Sequence, residues 1–313
     1  MTDLVVPLVA FLTTVAAALP APRPSVCVAY NGKDTLAIPL ARDGNNIFTM
    51  KLFLRDQWID GFAVDTGSHS ILVSGEDCQK CAQQGPKKTV VYTSQSSTVR
   101  VERIHATIEA HRFSCGGGGG RGVQPSTLLP TTSLCLNETD MNVALDFQGT
   151  SAYNVVGLGA HSSFLRSLMP SSARAFSMHI HSLRHAELFV FAPGHCFAGA
   201  RRFPLTRRGI PLDAVNGARD AKTRHVLLDT GSNALSLPEH VYAALPSRGT
   251  LRLTLGDFVL PVPFDKANVG NAQIMSSPGD DRIVVGVTFL VGFAIGGVQE
   301  QDGSAYVTID HID

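Results

Sequence analysis

One pattern in this chain occurs twice, and any fold must place both copies. Residues 62–68 read Phe62-Ala63-Val64-Asp65-Thr66-Gly67-Ser68, and apolar residues resume at Ile71. Residues 226–232 read Val226-Leu227-Leu228-Asp229-Thr230-Gly231-Ser232, and apolar residues resume by Leu235. Each copy is a buried strand ending in a tight turn that glycine permits. Each turn holds one carboxylate between apolar flanks, where an uncompensated charge is costly to bury. Asp229 follows Asp65 by 229 − 65 = 164 residues, which puts one copy in each half of the chain. A lone Asp-Thr-Gly is an ordinary turn, because Asp and Gly are ordinary turn residues. Two copies in the same apolar context call for a shared purpose.

Paired carboxylates have one. Two such groups brought to one point cannot both ionise easily, so they share a proton. The ionised member acts as a general base on a water held between them, and the protonated member donates to a substrate carbonyl. No covalent intermediate is needed, and the two apparent pKa values belong to the pair.

The duplicated motif resembles that of the pepsin-like aspartic proteases, and the resemblance runs from about Phe48 to the C-terminus. It implies an all-β, bilobal pepsin-like aspartic protease fold, with two β-barrel-like lobes and the active-site cleft between them. The lobes would span 22–172 and 173–313. It implies catalysis by Asp65 and Asp229, and Ser68 and Ser232 bonded to the outer carboxylate oxygens. Thr66 and Thr230 would tie the two turns together, and Gly67 and Gly231 would let the backbone approach the dyad. In such lobes a triplet of two apolar residues and a glycine packs beside each catalytic turn. Val155-Val156-Gly157 and Val284-Val285-Gly286 each follow the Asp-Thr-Gly of their own lobe. A flap hairpin with a tyrosine should cover the dyad, and Tyr92 is the candidate, with a turn around Ser94–Ser97. Ser96-Ser97-Thr98 equally resembles a stretch that precedes the flap, which would make Tyr92 an ordinary strand residue. The family commonly has Trp where Leu72 stands, and no basic cluster marks a conventional activation segment.

Composition narrows the setting. The chain is 44% hydrophobic and 17% charged, so a large core is available. Lys plus Arg equals Asp plus Glu at 26 each, which gives no electrostatic case for nucleic acid or an anionic membrane. Residues 4–19 form a short apolar run ending near Ala16-Ala17-Ala18, as in a signal peptide over residues 1–18, although Asp3 stands where Lys or Arg is usual. The expected location is outside the cell or in the lumen of the secretory or endolysosomal pathway. Asn137-Glu138-Thr139 is a glycosylation sequon that fits this route. Six cysteines suit an oxidising compartment, and sequence alone does not choose their pairing. Cys78 and Cys81 lack a second close Cys pair for zinc, and pepsin-like enzymes often have a small disulfide loop at this place. The expected pairs are Cys78–Cys81, Cys115–Cys135 and Cys27–Cys196.

Local patterns fill in the rest. Phe48–Leu54 and Trp58–Val64 read as a hairpin that delivers Asp65, and 251–260 as a second hairpin around Gly256-Asp257. Ser162–Met169 and Pro238–Leu245 read as short helices. Residues 283–298 are almost wholly apolar, but glycines interrupt them, so they read as two buried strands rather than a membrane span. Gly116–Gly120 lacks the Lys-Ser or Lys-Thr of a phosphate cradle and reads as a surface loop. His179-Ile180-His181 can place two imidazoles on one strand face for a metal; ordinary strand histidines are the preferred reading. No cofactor or metal is expected, the partner is a peptide or protein substrate, and the chain should act as a monomer. The competing function is a non-catalytic pepsin-like binding or inhibitor protein, whose usual mark is a damaged dyad motif. Both motifs here are intact.

Overall fold

The computed structural model describes residues 27–30, 34–81, 86–92, 95–113, 131–147, 154–169, 173–192, 200–206, 208–267 and 274–312. The candidate signal peptide, the glycine run, Cys115 and Cys196 lie outside these residues.

The protein is all-β: strands make up 60% of the described residues and helix 7%. The expected hairpin spans Phe48–Leu54 and Gln57–Asp65. Its two-residue turn puts Arg55 and Asp56 at φ of 45° and 73°, the left-handed pair that a tight hairpin requires. Trp58 packs edge-on against Phe53 across the strands, with ring centroids 5.4 Å apart. Helices cover Ser163–Leu168 and Glu239–Ala244, and the second hairpin joins Arg248–Leu255 to Phe258–Asp265. The apolar run near the C-terminus divides into strands Arg282–Gly286 and Phe293–Gln299, as expected of buried strands. Among the described residues no helix is long and apolar enough to cross a membrane.

The two strands that lead into the repeated motif are built alike. Asn154–Gly157 runs parallel to Phe62–Asp65, ending with Gly157 opposite Asp65. Arg282–Gly286 runs parallel to His225–Asp229, ending with Gly286 opposite Asp229. The strand after each turn then pairs antiparallel with the same triplet: Ile71–Leu72 with Val155–Val156, and Leu235–Ser236 with Val284–Val285. A strand flanked on both edges and covered on both faces must be apolar throughout. That is why Val155-Val156 and Ile283-Val284-Val285 carry no alternation.

The sheet topology shows the all-β class at a coarser level than two barrel-like lobes. Among the described residues no barrel closes. A 15-stranded sheet carries strands from both halves of the sequence, beside a 5-stranded and a 3-stranded sheet. The halves join at Thr35–Ile38, which pairs with residues 111–113 on one side and 188–190 on the other. The boundary expected at 172/173 falls just before the strand Arg174–Ser182, while the sheet itself carries strands from both sides of it.

The disulfides are corrected. Cys78–Cys81 is present as expected. Cys27 pairs with Cys135, which excludes both Cys115–Cys135 and Cys27–Cys196. Val28–Ala29 lies parallel to Leu134–Cys135, and this short pairing sets the two sulfurs beside each other. The candidate flap strands pair as a hairpin, in a register other than the one expected around Ser94–Ser97. Lys87–Tyr92 pairs with Gln95 onward, and Tyr92 stands opposite Gln95. Asn137 falls within the strand Thr131–Phe147. The side chains of Tyr92 and Asn137 lie outside the described ones.

Candidate active site

The fold brings the two turns together, and the threonines hold them. Thr66 N–H donates to Thr230 Oγ1 (3.1 Å), and Thr230 N–H donates to Thr66 Oγ1 (3.1 Å). Each hydroxyl then spends its own proton across the gap: Thr66 Oγ1 on Leu228 O and Thr230 Oγ1 on Val64 O, both at 2.6 Å. Each hydroxyl thus both donates and accepts, as its chemistry allows. Thr230 is fully buried, so the arrangement leaves no polar group there unsatisfied.

The glycines allow the turns to close on each other. A Cβ built on Gly67 would stand 2.9 Å from Asp229 Cγ, and one on Gly231 would stand 2.5 Å from Asp65 Cγ. Any side chain at either position would occupy the space of the other turn's carboxylate. Gly157 and Gly286 are equally tight against the backbone at Ser68 and Ser232. From beside them, Leu158 N–H donates to Asp65 O (2.7 Å) and Val287 N–H donates to Ser232 O (2.7 Å), fixing the turns from behind.

The two carboxyl groups lie close enough to act on each other, yet their surroundings differ. Asp65 receives Gly67 N–H at Oδ1 (2.6 Å) and the Ser68 hydroxyl at Oδ2. Asp229 receives Gly231 N–H at Oδ1 (3.0 Å). Ser232 departs from expectation, because its Oγ accepts Ala234 N–H (3.1 Å). Its neighbour Asn233 reaches to Asn45 O (3.2 Å). Burial pushes the Asp229 carboxyl well above the usual carboxylate range; the charge of Asp65 and their mutual hydrogen bond push it further, and Gly231 N–H partly offsets them. Residue 229 as a whole is half-buried, but the close approach of Gly67 shows how crowded its carboxyl is.

The supporting residues extend outward. Ser74 N–H donates to Asn154 Oδ1 (2.8 Å), and Asn154 Nδ2 donates to Asp77 Oδ2 (2.8 Å), which ties the strand after the first turn to its triplet. Leu72, where a Trp was the family expectation, is buried with Val99, Ala144 and Val155. A hollow lined by Leu158, Leu165, Phe176, Leu228 and Tyr306 reaches Thr66 from behind. Its walls are mostly apolar, with His161 and Gln299 at the margin, so it is packing space behind the turns rather than the place of the chemistry. Asn154 is the residue that sequence reasoning passed over; its signal was its place directly before the apolar triplet.

No family model matches this chain, and no curated protein matches it.

Proposed function

We propose that the protein is an aspartic endopeptidase of pepsin-like bilobal architecture, working through the Asp65–Asp229 dyad at acidic pH. The observation that carries this reading is the reciprocal exchange between Thr66 and Thr230, which holds the two turns together and so brings their carboxyls close to each other. The surroundings divide the roles. Asp229 sits where a retained proton is favoured, which leaves Asp65, held by Gly67 N–H and the Ser68 hydroxyl, as the member that acts as base.

The steps follow from that division. A water between the carboxyls loses a proton to Asp65 as its oxygen bonds to the peptide carbon. Asp229 gives its proton to the carbonyl oxygen, so a neutral gem-diol forms. On collapse Asp65 returns its proton to the amide nitrogen, the C–N bond breaks, and a diol hydroxyl reprotonates Asp229. The dyad ends with the single proton it began with. An extended peptide lying across both turns is the substrate geometry, and a lumenal or secreted setting suits the disulfides.

The test is cleavage of a fluorogenic peptide with an apolar pair at the scissile bond, with and without a statine peptide. Asp65→Asn and Asp229→Asn should each lower the rate by about a thousandfold or more while the fold is retained, since each removes half of an acid–base pair. A native chain that binds the statine peptide but cleaves nothing would identify a binding protein on this scaffold. Unchanged cleavage by either variant would remove the dyad from the mechanism.

A further inference from the structure

A second cluster of reactive side chains lies away from the dyad. His179 and His181 alternate along the strand Arg174–Ser182, so both project from one face. Glu187 stands directly opposite His179 on the neighbouring strand, His185–Phe191. A register shift between Ile180 and Ser182 bends the hairpin at this point. It lets the His185 ring stack on His181, with centroids 4.8 Å apart and planes 18° from parallel. His181 Nε2 lies 3.0 Å from Glu187 Oε2. One ligand-type atom from each of His179, His181 and Glu187 lies within 4.8 Å of the other two.

We propose that His179, His181 and Glu187 form a binding site for a divalent transition metal, with zinc as its best-suited ion. Two imidazoles and a carboxylate are a borderline-soft donor set, which excludes calcium and magnesium as preferred ions. Zinc holds such ligands at about 2.0–2.2 Å, so tetrahedral donors sit about 3.4 Å apart. The His181–Glu187 edge is already near that spacing, and the remaining separations, within 4.8 Å, must close by up to about 1.4 Å. Rotation of Glu187 and His181 can supply this, because their side chains are 45% and 33% exposed. An ion pair between His181 and Glu187 accounts for two of the groups, and His179 places a third ligand-type atom within 4.8 Å of both.

The surroundings suit a cation. His179 is backed by Phe189, edge to face at 5.1 Å, which fixes its ring. In the row Glu187–His179–Ala294–Asp310 a second carboxylate faces the same side of the sheet, close enough to act on His179 electrostatically. Ala294, between them, is small and leaves that field unobstructed. The core-facing residues of the same strand, Phe176, Met178 and Ile180, point the other way. Phe176 lines the hollow that reaches Thr66. The metal site and the dyad are therefore on opposite faces of the sheet, and the site clamps two adjacent strands near its middle without touching the reaction.

The experiment is a titration of the full chain with zinc against a chromophoric chelator, repeated with cobalt for its visible absorption. We expect one zinc per chain and the strong cobalt bands of low coordination number. His181→Ala and Glu187→Gln, both exposed and safe for folding, should each weaken zinc by more than about tenfold. His240→Ala, an imidazole elsewhere, and Asp65→Asn should leave the affinity unchanged. Absence of a stoichiometric site in the native chain would overturn the proposal. So would equal affinity in His181→Ala and the native chain, since the zinc would then sit elsewhere among the 11 histidines.

Discussion

At Gly231 a single methyl group reports on the dyad. Its carbon would stand 2.5 Å from Asp65 Cγ, a side chain held by two donors and unable to yield without losing them. Gly231→Ala should therefore displace the carboxylate and lower kcat about a hundredfold, the usual cost of misplacing a reacting group by about 1 Å. Gly44→Ala is the matched control, because nothing lies within 4 Å of its Cβ. Peptide cleavage and thermal melting of both variants check this; equal activity in the two would show that the contact does not control the carboxylate. The same scale shows what a repeat does not specify. Ser68 and Ser232 follow identical triplets, yet Ser68 donates to its aspartate and Ser232 receives Ala234 N–H. The difference comes from the residues beyond the repeat, where Asn233 is drawn to Asn45 O.

Elements were legible where a local pattern decided them. The two hairpins follow from tight-turn residues between apolar alternations, and the triplets from unbroken apolar runs that only a doubly flanked strand can use. Apart from the meeting of the two turns, which the repeat announced, contacts between distant elements were not legible. Cys27–Cys135 depends on two residues of strand laid parallel to Leu134–Cys135, too short a segment to carry a pattern. The cluster at His179 was half visible as His-x-His, while its carboxylate depends on the cross-strand register with Glu187. The disulfide carries its own prediction. It closes a loop with a sequence separation of 108, and a loop of that order restricts the unfolded chain enough to add about 4 kcal/mol. Cys27→Ser with Cys135→Ser should lower Tm by roughly 5–10 °C, read by calorimetry without reductant. An unchanged Tm would mean the bridge does not form in the folded chain.

Over the whole molecule, pH acts through the buried member of the dyad. Activity needs one proton on the pair, so the rate should be bell-shaped with its maximum below neutrality and fall as pH rises through the raised pKa of Asp229. Stability should move in the same direction. A carboxyl whose folded pKa is raised contributes fully below its unfolded value of about 3.9, and that contribution is lost as pH rises through the folded pKa. Asp229→Asn cannot titrate, so its Tm should fall less than that of the native chain on the alkaline side. Parallel Tm–pH curves for the two would contradict the shift. The joining strand Thr35–Ile38 has a consequence of another kind, in the order of synthesis. Leu36 meets Arg112 after 112 − 36 = 76 residues and Val190 only after 190 − 36 = 154. At about 5–20 residues per second the second partner arrives roughly 8–30 s after the strand itself. During the later part of that interval one edge is paired and the other is bare, a template for any neighbouring nascent chain. Stalled chains ending before residue 185 should therefore be cleaved by protease near Thr35–Ile38, and chains that present all of His185–Phe191 should resist.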